Sequence, residues 1–195
     1  MITTDGSLHL NGRQLVNGGE INGVNLQSEY ATIKNEAAGR LLADTSLSVH
    51  GQQTDNLGLM AADTLALNSQ DVNNEGNVLS VGELSLKNQT LHNTGLLQGG
   101  TQNLEANTWQ NSGNALGETG VTATVHDAFT NQGKVLSQQG MTVHAASVNN
   151  SGMLAAKVLA LYGDISNSGI LQGNQALAWD GNRFTNLAGG QVTSG

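Results

Sequence analysis

Val148-Asn149-Asn150-Ser151-Gly152-Met153-Leu154 reads as an apolar residue, a spacer, Asn, a spacer, Gly and an apolar pair, and the phrase recurs along the chain. Val72-Asn73-Asn74-Glu75-Gly76-Asn77-Val78-Leu79 and Leu91-His92-Asn93-Thr94-Gly95-Leu96-Leu97 carry it again. The anchor asparagines are Asn17, Asn35, Asn56, Asn74, Asn93, Asn111, Asn131, Asn150, Asn167 and Asn186. Their spacing of roughly 17 to 21 residues lies in the range of stacked repeats. Residues 1–195 therefore read as a single repeat segment of about ten units.

Apolar columns run with the anchors. Two residues before each Asn stand Leu15, Ile33, Thr54, Val72, Leu91, Trp109, Phe129, Val148, Ile165 and Phe184, with Thr54 the one polar member. After the Gly comes another column that includes Ile21, Leu41, Met60, Val78, Leu97, Val135, Leu154 and Leu171. Between successive phrases lies an alternating element, such as Val24-Asn25-Leu26, Leu47-Ser48-Val49, Leu104-Glu105-Ala106, Ala123-Thr124-Val125 and Met141-Thr142-Val143. Period-two alternation marks short strands with one buried face, and no segment is long enough for a helix.

A unit of about 19 residues at roughly 3.3 Å each goes once around a three-sided coil, and each coil stacks about 4.8 Å above the last. Strands of successive coils then pair in parallel. Because parallel crossovers are almost always right-handed, the expected fold is all-β: a right-handed parallel β-helix of about ten coils. A leucine-rich-repeat solenoid fits less well, because its strand lies closer to its Asn.

In such a stack the anchor asparagines occupy one corner of every layer, where each amide can donate to the next in a structural Asn ladder. The Gly that follows is expected to supply a positive φ at the corner. Asn35-Glu36-Ala37-Ala38-Gly39 and Asn186-Leu187-Ala188-Gly189-Gly190 carry extra residues and should bulge outward. The stretches 27–31 and 51–53 are expected to be surface loops.

Composition limits function. The net charge is −8 and the seven Lys and Arg residues are scattered, so no basic stripe is present to bind nucleic acid. No run is long enough to span a membrane, and the first residues lack the pattern of a secretory signal. Cysteine is absent, which removes disulfide frameworks and thiolate metal sites. The acidic charge and a 3% aromatic content are expected to discourage association along the sides of the rod.

Phe129-Thr130-Asn131-Gln132-Gly133-Lys134-Val135-Leu136-Ser137 and Ile165-Ser166-Asn167-Ser168-Gly169-Ile170-Leu171-Gln172-Gly173 resemble the haemagglutinin repeats of filamentous-haemagglutinin-type exoproteins, including the stalks of contact-dependent inhibition proteins. The resemblance extends from about Leu8 to Val192. It implies an internal piece of a long protein on the surface of a Gram-negative bacterium, exported by an outer-membrane transporter partner (two-partner secretion) and presented to a receptor on a host or neighbouring cell. It carries over no binding residue.

Chemistry-bearing residues are few. Some β-helices act on polysaccharides, which requires converging carboxylates; here the acids are dispersed, Asp63 and Glu83 included, so no catalytic residue is assigned and the chain reads as a non-enzyme. No cofactor is implied. His126 and His144 fall in one outward column of adjacent layers, where two imidazoles could share a metal ion, but two ligands do not close a site and no metal is assigned. Trp109, Phe129, Trp179 and Phe184 point inward and read as core. Tyr162 and Tyr30, with the two histidines, are the candidate surface contacts. A structural shaft that mediates adhesion or projects a receptor-binding or toxin end toward a target cell is the leading function; a dedicated receptor- or glycan-binding module is the alternative, and a polysaccharide-active enzyme ranks third.

Overall fold

The computed structural model describes residues 1–195, and every pairing between its strands is parallel. The molecule is a parallel β-helix in which each coil contributes three sheet faces. The first face follows each Asn-x-Gly corner and includes Leu59–Ala62, Asn77–Ser80 and Lys134–Ser137. The second carries the alternating element, and the third ends on the anchor Asn. Long strands such as Arg40–Asn56 and Asn114–Asn131 run through all three faces. No helix of the molecule is long and apolar enough to cross a membrane.

The coils are held by two continuous features. One is a core of 35 buried apolar residues, among them Leu41, Met60, Val78, Leu97, Val135, Leu154 and Leu171 of the column after the Gly. The other is interlayer hydrogen bonding that passes through the corners: Gly76 N donates to Asn56 O at 2.9 Å and Asn77 N to Gly58 O at 2.8 Å. Trp109 and Phe129 are fully buried and stacked on successive layers, with centroids 4.2 Å apart. Trp179 and Phe184 pack edge to face near the end of the stack, half-buried. Thr54, the polar member of its column, is also buried and shares a hydrogen bond with Ser69 on the next coil.

Three details differ from the sequence reading. First, the corner glycines do not take positive φ; only Gly163 and Gly189 do. Glycine is needed at the corner for close approach: a Cβ at Gly95, Gly113, Gly133 or Gly152 would collide with the carbonyl oxygen of the corner glycine one coil before. Second, 27–31 and 51–53 are not loops but lie in paired strands, with Gln27 opposite Ser48, Tyr30 opposite Gly51 and Gln53 opposite Asp71. Third, the alternating element is shifted by two residues in three coils. Leu26, not Val24, lies opposite Leu47, Gln102 opposite Leu84, and Val121 opposite Met141. The extended corner at Glu36, Ala37 and Ala38 is exposed and closed by a Gly39 N to Glu36 O bond of 2.7 Å.

Candidate functional surfaces

The inside of the rod is occupied by structure. Each anchor Asn donates its side-chain amide to the amide oxygen of the next anchor at 2.8 to 2.9 Å, from Asn17 through to Asn186. The second amide hydrogen is used as well: Asn93 donates to Asn114 O at 3.1 Å, and Asn131 to Met153 O at 3.2 Å. These amides are buried from Asn17 to Asn167, whereas Asn186 is exposed and turns its amide to Gly190 O. The ladder thus satisfies inward polar groups that would otherwise each cost about 1–3 kcal/mol.

The register shift rearranges the outward column of the second face. It runs His50, Asn68, Lys87, Glu105, Thr124, His144, Tyr162 and Asp180. His144 therefore lies opposite Thr124, not His126. His126 sits two residues further on, with Nε2 3.3 Å from Glu105 Oε1. His144 instead stacks on Tyr162, with centroids 4.2 Å apart and planes at 10°. The paired-histidine arrangement is thus absent, and no group of three His, Asp or Glu side chains is placed to hold a metal ion. Tyr162 is exposed, while Tyr30 lies against Gly12 of the preceding coil and packs on the core. Asp63 is exposed, and the Glu83 carboxylate accepts from Asn103 Nδ2 at 3.1 Å.

One surface feature was invisible in the sequence. Backbone pairing between two coils lapses between the Leu67–Leu86 and Asp71–Thr90 pairs. There the Asn88 amide takes over, donating to Leu67 O at 3.1 Å and Ser69 O at 2.7 Å. Over this gap runs a groove of about 460 Å³ with no apolar residue in its lining; His50, Asn68, Lys87, Gln89, Glu105 and His126 flank it. Asn68 Oδ1 and Asn88 Oδ1 are buried beside it without hydrogen-bond partners. The available signal is Asn88 at an inward position two residues after Leu86, where the neighbouring coils carry Ser69 and Ala106.

No protein-family model and no solved structure matches the chain. Among curated proteins it is 32% identical over 198 residues to a protein named tRNA nuclease CdiA from Yersinia mollaretii, a match that takes in 96% of this chain. Such a match runs through coil after coil, and the coils it covers carry the anchor Asn, the corner Gly and both columns. The chain is similar along nearly its whole length to part of that CdiA protein, in keeping with the filamentous-haemagglutinin-type repeat its sequence resembles. It spans 7% of the length of that relative.

Proposed function

We propose that this chain is a shaft segment of a large secreted bacterial surface protein of the contact-dependent inhibition type, which projects a functional end toward a target cell. The observation that supports this most strongly is the unbroken stack: parallel register and an amide ladder continue through every coil, over the stretch matched by the relative. Continuous interlayer bonds and a continuous core make a stiff rod. In this reading the parent protein passes an outer-membrane transporter, lies outside the outer membrane of a Gram-negative cell, and meets a receptor on another cell. The nuclease activity in the relative's name is a property of that protein. This chain's part is to set distance and direction.

The test is deletion of whole coils from the parent protein. Removing residues 94–111 takes out one coil in register, since Asn93 and Asn111 are ladder neighbours. The shaft reading predicts that target-cell contact survives with a shorter reach, whereas removing half a coil, which breaks the ladder, abolishes it. Loss of contact from the single-coil deletion, at unchanged surface display, contradicts the reading.

A second reading, recognition of a glycan along the side of the rod, is favoured by the polar groove at Asn88. Its volume of about 460 Å³ falls within the range of about 300–1,000 Å³ typical of ligand sites. Lys87→Ala with Gln89→Ala would then remove retention on glycan-coated surfaces, and unchanged retention counts against it.

A further inference from the structure

In the apolar pair after each corner Gly one side chain points inward and its neighbour outward, the outward one first in some coils and second in others. The inward members build the core; the outward ones do not. On the first face the outward positions hold Leu42, Leu59, Leu79, Leu96, Leu116 and Leu136, followed by Met153 and Ile170. That is one large apolar residue per coil through eight successive coils, a strip on the order of 34 Å long at about 4.8 Å per coil. No outward Leu, Ile or Met occurs in the paired strands of the other two faces, where the exposed large apolar residues are Val16, Val158 and Tyr162, with no such run from coil to coil. All eight are half-buried, so each leaves part of an apolar side chain open on this face.

Charge distribution singles out the same face. Its outward positions carry Glu20, Arg40 and Lys134, and Glu118 stands exposed at its edge, so the face is neutral in sum although the chain as a whole carries −8. Two acidic rods repel most at their other sides and least here. Two hollows also open along the strip, one of about 370 Å³ beside Ala61 and Leu79 and one of about 260 Å³ beside Leu116 and Leu136, with Gln98 and Glu118 lining both. Large residues alternating with recesses suit interdigitation with a matching surface.

We propose that the first face is a lateral contact between two copies of this chain, packed side by side with the Leu42–Ile170 strip at its centre. A strip this narrow implies a weak contact at the low end of interface sizes. It becomes consequential where many shafts stand together, because neighbouring contacts along one rod act as a multivalent set. Side association is therefore directed to one face rather than suppressed all round, as the overall charge alone suggested. The contact does not depend on which end the shaft carries.

Sedimentation equilibrium of the 195-residue chain should show a concentration-dependent dimer that tightens as salt rises and screens the net negative charge. Leu79→Lys with Leu116→Lys should weaken it about tenfold or more, as expected for anchors at an interface centre. Because the chain has no cysteine, Gln98→Cys gives a clean second readout. A short bis-maleimide should link Gln98→Cys copies and fail to link copies carrying Asn73→Cys on the third face. A monomer at all concentrations, association unchanged by the two lysines, or equal cross-linking from both faces overturns the proposal; the last two outcomes would point to end-to-end pairing of open sheet edges.

Discussion

Asn93 Nδ2 donates to Asn111 Oδ1 at 2.8 Å, although the two residues stand 18 positions apart in the chain. The bond runs parallel to the stack, and the same bond above and below makes each anchor both donor and acceptor. Removing one amide therefore leaves two neighbours incomplete: Asn74 Nδ2 loses an acceptor and Asn111 Oδ1 a donor. Asn93→Ala should cost about 1–3 kcal/mol in urea unfolding, well above Ser85→Ala on the outward side of the second face. Equal losses for the two variants would remove the ladder from the account.

Corner glycines are required by contact rather than by dihedral angle. At Gly113 a Cβ would meet the carbonyl oxygen of Gly95, whereas nothing lies within 4 Å of a Cβ at Gly140. Gly113→Ala should destabilise by about 1–3 kcal/mol through overpacking. Gly140→Ala should be neutral or stabilising by up to about 1 kcal/mol, since it restricts the unfolded chain without strain. Denaturation midpoints of the two variants, compared at constant slope, check this directly.

Each coil supplies only a few core residues, such as Leu41, Ala43, Leu47 and Val49, each filling its own place in a column. Leu97 is completely buried between Val78 and Ala115 of the adjoining coils. Leu97→Ala should cost about 2–5 kcal/mol. An unchanged unfolding curve would mean that the packed register described here is wrong.

Surface pairs test the register of the second face. His144 and Tyr162 are stacked, while His126 pairs with Glu105. A double-mutant cycle on His144 and Tyr162 should give a coupling of about 0.5–1.5 kcal/mol. The cycle on His126 and His144 should be additive within about 0.5 kcal/mol. The opposite ranking would restore the adjacent-histidine arrangement.

The third face was legible from sequence because its anchors are unambiguous: Asn and Gly recur at a spacing that nothing else in the chain imitates. The second face was less so, for a physical reason. Alternation has period two, so Leu26 fits a strand that begins at Val24 as well as one in which it faces Leu47. The same degeneracy misplaced Leu104 and Ala123: polar Ser28 and Gln102 hold inward positions in the Leu26 and Leu104 coils, and Val121 begins the Ala123 strand two residues earlier than the alternation requires. Gln102 is accommodated by donating to Leu97 O and Leu116 O, at 2.8 and 2.9 Å, a solution that no hydrophobic pattern reveals. The surfaces suited to partners were harder still to read, since a groove at a lapse in pairing and a strip of outward leucines exist only once the coils are in register.

The most direct measurement is a distance across coils between sites remote in sequence. His50 and His144 are exposed and share one outward column, separated by five coil steps through Asn68, Lys87, Glu105 and Thr124. Spin labels on His50→Cys and His144→Cys, read by pulsed electron resonance, should give one narrow distribution centred near 24 Å, from about 4.8 Å per coil. A broad distribution, or a centre beyond about 35 Å, would contradict the stacked register on which the shaft, the ladder and the lateral face all rest.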